Sequence, residues 1–123
     1  MNDADRQLYE TAVAAAERAY APYSNFHVGA AVRARDGRIF EGVNVENAAY
    51  PLGVCAERSA LVRAVVEGCR PGDLDAIAIT ASPCGGCRQW LIEFGIRSVV
   101  YANNDGDVVS STAAELLPDT FVL

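Results

Sequence analysis

The cluster Pro83-Cys84-Gly85-Gly86-Cys87, taken with a third cysteine at Cys55, constrains this chain more than any other feature. A C-x-x-C presents sulfurs at i and i+3 to one ion, and the intervening glycines let the backbone turn around it. Cys55 opens a predicted helix, as Cys84 opens another, so two helix N-termini can aim their free N–H groups and dipoles at one thiolate-rich point. That geometry lowers thiol pKa values and suits Zn²⁺. Three ligands instead of four leave a coordination position open, the pattern of a catalytic zinc. The fourth cysteine, Cys69, lies roughly 21 Å of helical rise beyond Cys55 and reads as a buried structural thiol.

Two disulfides are the competing use for four cysteines. The opening residues Met1 to Arg6 are polar and carry Asp3 and Asp5, with no basic stretch leading into an apolar core. A cytoplasmic, reducing location and metal-ligating thiols are therefore the expectation. All ten basic residues are Arg and sixteen residues are acidic, for a formal charge of -6, so a nucleic-acid partner is not expected. The absence of Lys excludes a Schiff-base lysine, a Walker A lysine and the usual attachment of pyridoxal phosphate. His27 is the sole histidine and reads as a strand residue. No apolar run approaches the ~20 residues of a membrane span, so no membrane partner is expected either. At 123 residues with 51% apolar content, the chain reads as one domain over residues 1–123.

Leu8, Ala12, Ala15 and Ala19 recur at helical spacing and predict a helix over Asp5 to Tyr20, ending before Pro22. Val28–Ala34 and Arg38–Val45, joined by Arg35-Asp36-Gly37, predict a β-hairpin. A polar loop, Asn44–Gly53, leads into a helix over Cys55–Glu67, closed at Gly68. Asp75–Thr80 reads as a buried strand feeding a helix over Cys84–Phe94, in which Trp90, Leu91 and Phe94 read as core. Arg97–Ala102 is a further strand, Val108-Val109 a weak edge strand and Ala113–Leu117 a last helical turn. This alternation points to an α/β fold on a central sheet.

Glu57 follows Cys55 by two residues, and a C-x-E followed along the chain by P-C-x-x-C is the three-cysteine form of the zinc deaminase signature. Together with Tyr23-Ser24-Asn25-Phe26, Val28-Gly29-Ala30-Ala31, Asn44-Val45-Glu46-Asn47-Ala48, Cys55-Ala56-Glu57-Arg58, Cys87-Arg88-Gln89 and Leu116-Leu117-Pro118, it makes the chain resemble the small homotetrameric cytidine deaminases over nearly its whole length.

The resemblance implies a three-layer α/β/α sandwich with a central mixed sheet of about five strands. It implies hydrolytic deamination of cytidine or 2′-deoxycytidine in pyrimidine salvage, with one Zn²⁺ per subunit on Cys55, Cys84 and Cys87. Glu57 would carry protons between water and the pyrimidine; Phe26 would stack on the base; Asn44 and Glu46 would bind the ribose; Ala56 would contact substrate. Phe121 stands where the family offers an aromatic to the neighbouring subunit's site in a homotetramer. Two departures from the family, a short Ile79–Ser82 connection and a chain that ends soon after Phe121, bear on substrate and subunit contacts. The alternatives are an aminohydrolase of the same fold acting on another amino-heterocycle, such as blasticidin S or a modified cytidine, and a non-catalytic zinc module.

Three thiolates on Zn²⁺ leave a formal charge of -1, which makes a bound water a poorer acid than three neutral histidines would. Arg58 is similar to the family's arginine that hydrogen-bonds the zinc-ligand thiolates, and the helix N-termini act in the same sense. Arg58→Ala is accordingly expected to reduce turnover while largely keeping zinc, as checked by metal content measured beside kcat.

Overall fold

The computed structural model describes residues 1–123. Helix α1 (Asp3–Ala16) starts at Asn2, whose side chain accepts the Asp5 N–H at 2.8 Å, and Asp3 and Asp5 occupy the first turn, where carboxylates oppose the positive dipole end. Leu8, Ala12 and Ala15 form its buried face. Asp5 is buried too, and its carboxylate is satisfied by Arg33 at 3.2 Å and the Ser98 hydroxyl at 3.0 Å. The helix stops at Ala16 and not at the predicted Tyr20, because Tyr20 pairs instead with the segment after the hairpin. Its N–H donates to Asn44 O at 3.0 Å, and its carbonyl accepts from Glu46 N at 2.8 Å.

Strands β1 (Gly29–Ala34) and β2 (Ile39–Val43) form the predicted hairpin. A 3₁₀ turn at Tyr50–Leu52 interrupts the following loop, and α2 (Ala56–Val66) begins directly after Cys55. Next come β3 (Leu74–Ile79), α3 (Gly85–Glu93), β4 (Ser98–Ala102), β5 (Val108–Ser111) and α4 (Ala113–Leu116). The sheet order is β2-β1-β3-β4-β5, with β3 and β4 parallel and the other pairs antiparallel. This is the expected mixed sheet of five strands.

Period-two alternation divides the sheet between two faces. Ala31, Ala76, Ala78 and Val100 pack with Leu8 and Ala12 of α1. On the opposite face Ala30, Val32, Ile77, Ile79 and Val99 pack with Ala60 and Leu61 of α2 and Leu91 of α3. Three layers result. Phe94 is buried as expected, whereas Trp90 is only half-buried and lies stacked on Phe94 at 6.3 Å.

His27 is not a strand residue. It lies exposed ahead of β1, because the N–H of the next residue, Val28, is taken by the Asn44 side chain at 2.8 Å and strand pairing starts only at Gly29. No helix is long and apolar enough to cross a membrane.

Two strand glycines let helices approach the sheet at backbone distance. A Cβ at Gly29 would fall 2.0 Å from Ala12 O, and one at Gly42 would fall 2.3 Å from Ala60 N and 2.5 Å from Ala56 O. Backbone atoms of a packed helix cannot yield locally. Gly42→Ala should therefore lift α2 from β2, lowering unfolding free energy by about 1–3 kcal/mol in urea titrations and reducing zinc retention, since α2 carries Cys55 and Glu57.

Candidate metal centre and substrate cavity

Cys55 is the N-cap of α2 and Cys84 the N-cap of α3, and neither side chain hydrogen-bonds to its own helix. Their sulfurs are thus free to turn toward a common point, which Cys87 reaches from the first turn of α3. The three Sγ atoms lie within 4.8 Å of one another. Tetrahedral coordination at a Zn–S distance of ~2.3 Å spaces sulfurs by roughly 3.8 Å, so the cluster needs only a small contraction to hold the ion. Cys87 is buried, Cys55 half-buried and Cys84 exposed, which leaves one side of the cluster open. Cys69 is buried in the core next to an Arg38 nitrogen at 3.6 Å, apart from the cluster, as the sequence predicts.

The thiols are electrostatically unequal. The Cys87 thiol beside it holds Cys55 down to about 6 against the opposing effect of burial, with the Arg58 charge assisting. The same pairing, with burial and the nearby Glu57 charge, pushes Cys87 far up. One thiolate and one S–H therefore share the proton that a metal ion must displace.

Glu57 is 4% exposed in the first turn of α2. Burial raises its carboxyl above the usual range, and the Cys55 charge pushes the same way against Arg58. Burial works against the charge of Arg58, but the sulfurs of Cys87 and Cys55 more than compensate and raise its pKa. The Arg58 Nε is buried without a partner. Its guanidinium lies over Gly86, where a Cβ would sit 2.3 Å from Nη2 and 4.0 Å from Cys84 Sγ. A soft, all-thiol donor set with a cation held against it fits Zn²⁺.

A cavity of about 860 Å³ opens at this cluster. Cys55, Ala56, Glu57 and Cys84 line it together with Phe26, Asn44 and Glu46, so the sequence-predicted base- and sugar-binding residues share one space with two of the thiols. Ala81 and Ser82 of the short connection after β3 also face it. No Arg, Lys or His contributes to its wall.

Asn44 and Glu46 are both engaged with the segment before β1. Asn44 Oδ1 accepts from Val28 N, and its Nδ2 donates to Phe26 O, each at 2.8 Å. Glu46 Oε1 accepts from Tyr23 N at 2.9 Å and Ser24 N at 3.1 Å, while Oε2 accepts from the Ser24 hydroxyl. That hydroxyl bond, with the two backbone donors and the His27 charge, holds the Glu46 carboxyl below its usual range despite some desolvation. Phe26 is 61% exposed, its ring free on the cavity wall. Phe121 is 75% exposed and is not brought to this chain's own cavity. Two participants carry no role in the sequence reading: Gly86, visible there only as a turn residue, and Ser24, visible only as a letter of the Tyr23-Ser24-Asn25-Phe26 motif.

Residues 2–103 match the family model described as the cytidine and deoxycytidylate deaminase zinc-binding region. A cytidine deaminase of Sporosarcina psychrophila is 47% identical over 115 residues, covering 87% of this chain and 83% of the relative. One from Halalkalibacterium halodurans is 46% identical over 126 residues, covering 95% and 94% respectively. The crystal structure of cytidine deaminase from Burkholderia pseudomallei superposes with a TM-score of 0.89 at 50% identity, over 98% of this chain and all of the other.

The contact between Gly86 and Arg58 can be broken without touching either charge. Because the clashing atom is the far end of a flexible side chain, Gly86→Ala should leave the melting temperature and zinc content close to wild type while displacing the guanidinium. Turnover should then fall about as far as in Arg58→Ala, and the double variant should be no worse than either single one.

Proposed function

The chain belongs to the cytidine and deoxycytidylate deaminase family, and from that membership we propose that it hydrolyses cytidine or 2′-deoxycytidine to uridine or 2′-deoxyuridine and ammonia. The observation that carries this reading is the buried carboxylate of Glu57, set beside three clustered thiols at a cavity sized for a small molecule. Zinc held by Cys55, Cys84 and Cys87, one ion per subunit, supplies Lewis acidity that makes water nucleophilic at neutral pH. As the C4–O bond forms, the Glu57 carboxylate takes a proton from the attacking water and delivers it to ring N3. Glu57 then takes the remaining proton of that water from the new C4 hydroxyl and passes it to the amine as the C4–N4 bond breaks, so the C4 carbonyl forms, ammonia leaves and the carboxylate is restored. Arg58 offsets the negative charge of the thiolates.

Substrate placement follows from the remaining residues of the cavity wall. Phe26 presents a ring face to the base, Ala56 borders the base next to Glu57, and Asn44 and Glu46 offer an amide and a carboxylate to the sugar hydroxyls. A 5′-phosphate, carried on the sugar, would meet the Glu46 carboxylate with no cationic side chain on the wall to receive it. An unphosphorylated nucleoside is therefore the substrate we assign, which places the enzyme in pyrimidine salvage. The exposed Tyr23, Phe26 and Tyr50 around the cavity, and the exposed Leu52 and Phe121, support assembly as a homotetramer in which subunits cover one another's sites. A cluster that needs reduced thiols supports a cytoplasmic location, and the -6 charge supports the absence of a nucleic-acid partner.

The test is the ultraviolet absorbance change of zinc-loaded protein with cytidine, 2′-deoxycytidine, their 5′-monophosphates and a panel of other aminopyrimidines, beside Glu57→Gln. Both nucleosides should turn over, the monophosphates should not, and Glu57→Gln should lose at least about 10²-fold in kcat with its zinc retained. If only another amino-heterocycle reacts, the sugar-binding roles of Asn44 and Glu46 fall. If nothing reacts at full metal loading, zinc serves the fold alone.

A further inference from the structure

Phe26 is mostly exposed, so its position depends largely on what holds its backbone. Both of its polar backbone groups are held by side chains. Its carbonyl accepts from Asn44 Nδ2 at 2.8 Å, and its N–H donates to the Ser24 hydroxyl oxygen at 3.0 Å. The same hydroxyl donates its one proton to Glu46 Oε2. Around it the chain turns sharply: Asn25 sits at φ 58, a left-handed conformation that Asn tolerates, and its N–H reaches back to Ala21 O at 3.0 Å. Successive N–H groups of Tyr23 and Ser24 close the turn on Glu46 Oε1.

We propose that Ser24 is a positioning residue: its hydroxyl couples the Glu46 carboxylate to the Phe26 backbone, so that the sugar-binding and base-stacking groups are set as one unit. The inference rests on the nucleoside reading of the cavity. Two features support it. A serine hydroxyl can give one hydrogen bond and accept others, and here the donated bond goes to the sugar-side group while an accepted bond comes from the base-side group. The bond from Ser24 is also the largest of the effects that lower the Glu46 pKa, so the hydroxyl is an intimate partner of the carboxylate that accepts from the sugar hydroxyls. Ser24 itself is exposed and contributes nothing to the core, so its loss acts on the site and not on folding.

Steady-state kinetics on cytidine with zinc-loaded wild type, Ser24→Ala, Ser24→Thr, Glu46→Ala and the double variant Ser24→Ala/Glu46→Ala test this. Ser24→Ala should raise KM about tenfold with kcat within about twofold, the signature of lost binding in ground and transition states alike. Ser24→Thr keeps the hydroxyl and should restore KM. Once the carboxylate is gone the hydroxyl has little left to position, so the double variant should match Glu46→Ala in KM within about twofold. An unchanged KM in Ser24→Ala, failure of Thr to rescue, a fall confined to kcat, or a double variant whose KM rises by the full product of the two single effects would each overturn the proposal. The underlying reading fails separately: if Glu46→Ala itself leaves KM for cytidine at the wild-type value, the sugar assignment falls and takes the Ser24 proposal with it, whereas a raised KM in Glu46→Ala beside a normal Ser24→Ala removes only Ser24.

Discussion

Three sulfurs and a buried carboxylate gathered at one point would repel each other, and much of this molecule's architecture consists of what makes that gathering tolerable. Two helices end there N-terminus first, each contributing the positive end of its dipole and a set of N–H groups that its cap side chain leaves free. Arg58 adds a full charge from the opposite side, held over Gly86 because that residue has no side chain. Zinc completes the balance. Each of these parts is set by packing some distance away: α2 lies against β2 because Gly42 admits its backbone, and α3 follows from β3 through a short connection that itself borders the cavity.

The rest of the cavity wall is organised by a different means. The exposed Tyr23–Phe26 segment is wrapped around the carboxylate of Glu46 and pinned by the amide of Asn44 through four hydrogen bonds. Asn44 and Glu46 follow the end of β2, so the sheet places them, and they in turn place the loop that carries Phe26. The two residues assigned to the sugar thus have a structural duty toward the residue assigned to the base. Catalytic groups set on helix termini and binding groups set by polar ties meet in one cavity, a division suited to an enzyme that must place a reacting carbon while admitting a nucleoside.

Much of this was legible along the chain for identifiable reasons. Helix starts at Cys55 and Cys84, the Gly68 stop and the Asp36-Gly37 hairpin all follow from local backbone chemistry, and the structure has each within a residue or so of its expected place. Where the reading erred, a partner distant in sequence had intervened. The first helix ends at Ala16 because Tyr20 finds the backbone of Asn44 and Glu46, and His27 stays out of β1 because the Asn44 side chain claims the N–H of Val28. These two errors share a source: the segment beyond the hairpin competes for backbone groups, through its main chain at Tyr20 and through the Asn44 side chain at Val28, and periodicity carries no trace of that competition.

Residue types and their spacing were enough by themselves to determine the chemistry available to this protein: three thiols and a glutamate at helix starts, no lysine, one histidine and no basic footprint. Metal-assisted acid–base work is what such an inventory permits, because only thiolates and carboxylates are present in the right pattern. Only the tertiary structure decided which groups act together. It set the Cys84 thiol beside Arg58 across Gly86, excluded every cation from the cavity wall, and joined Glu46 to Phe26 through Ser24. Those relations depend on distances between elements remote in sequence, which close packing fixes to fractions of an ångström and which no local pattern encodes.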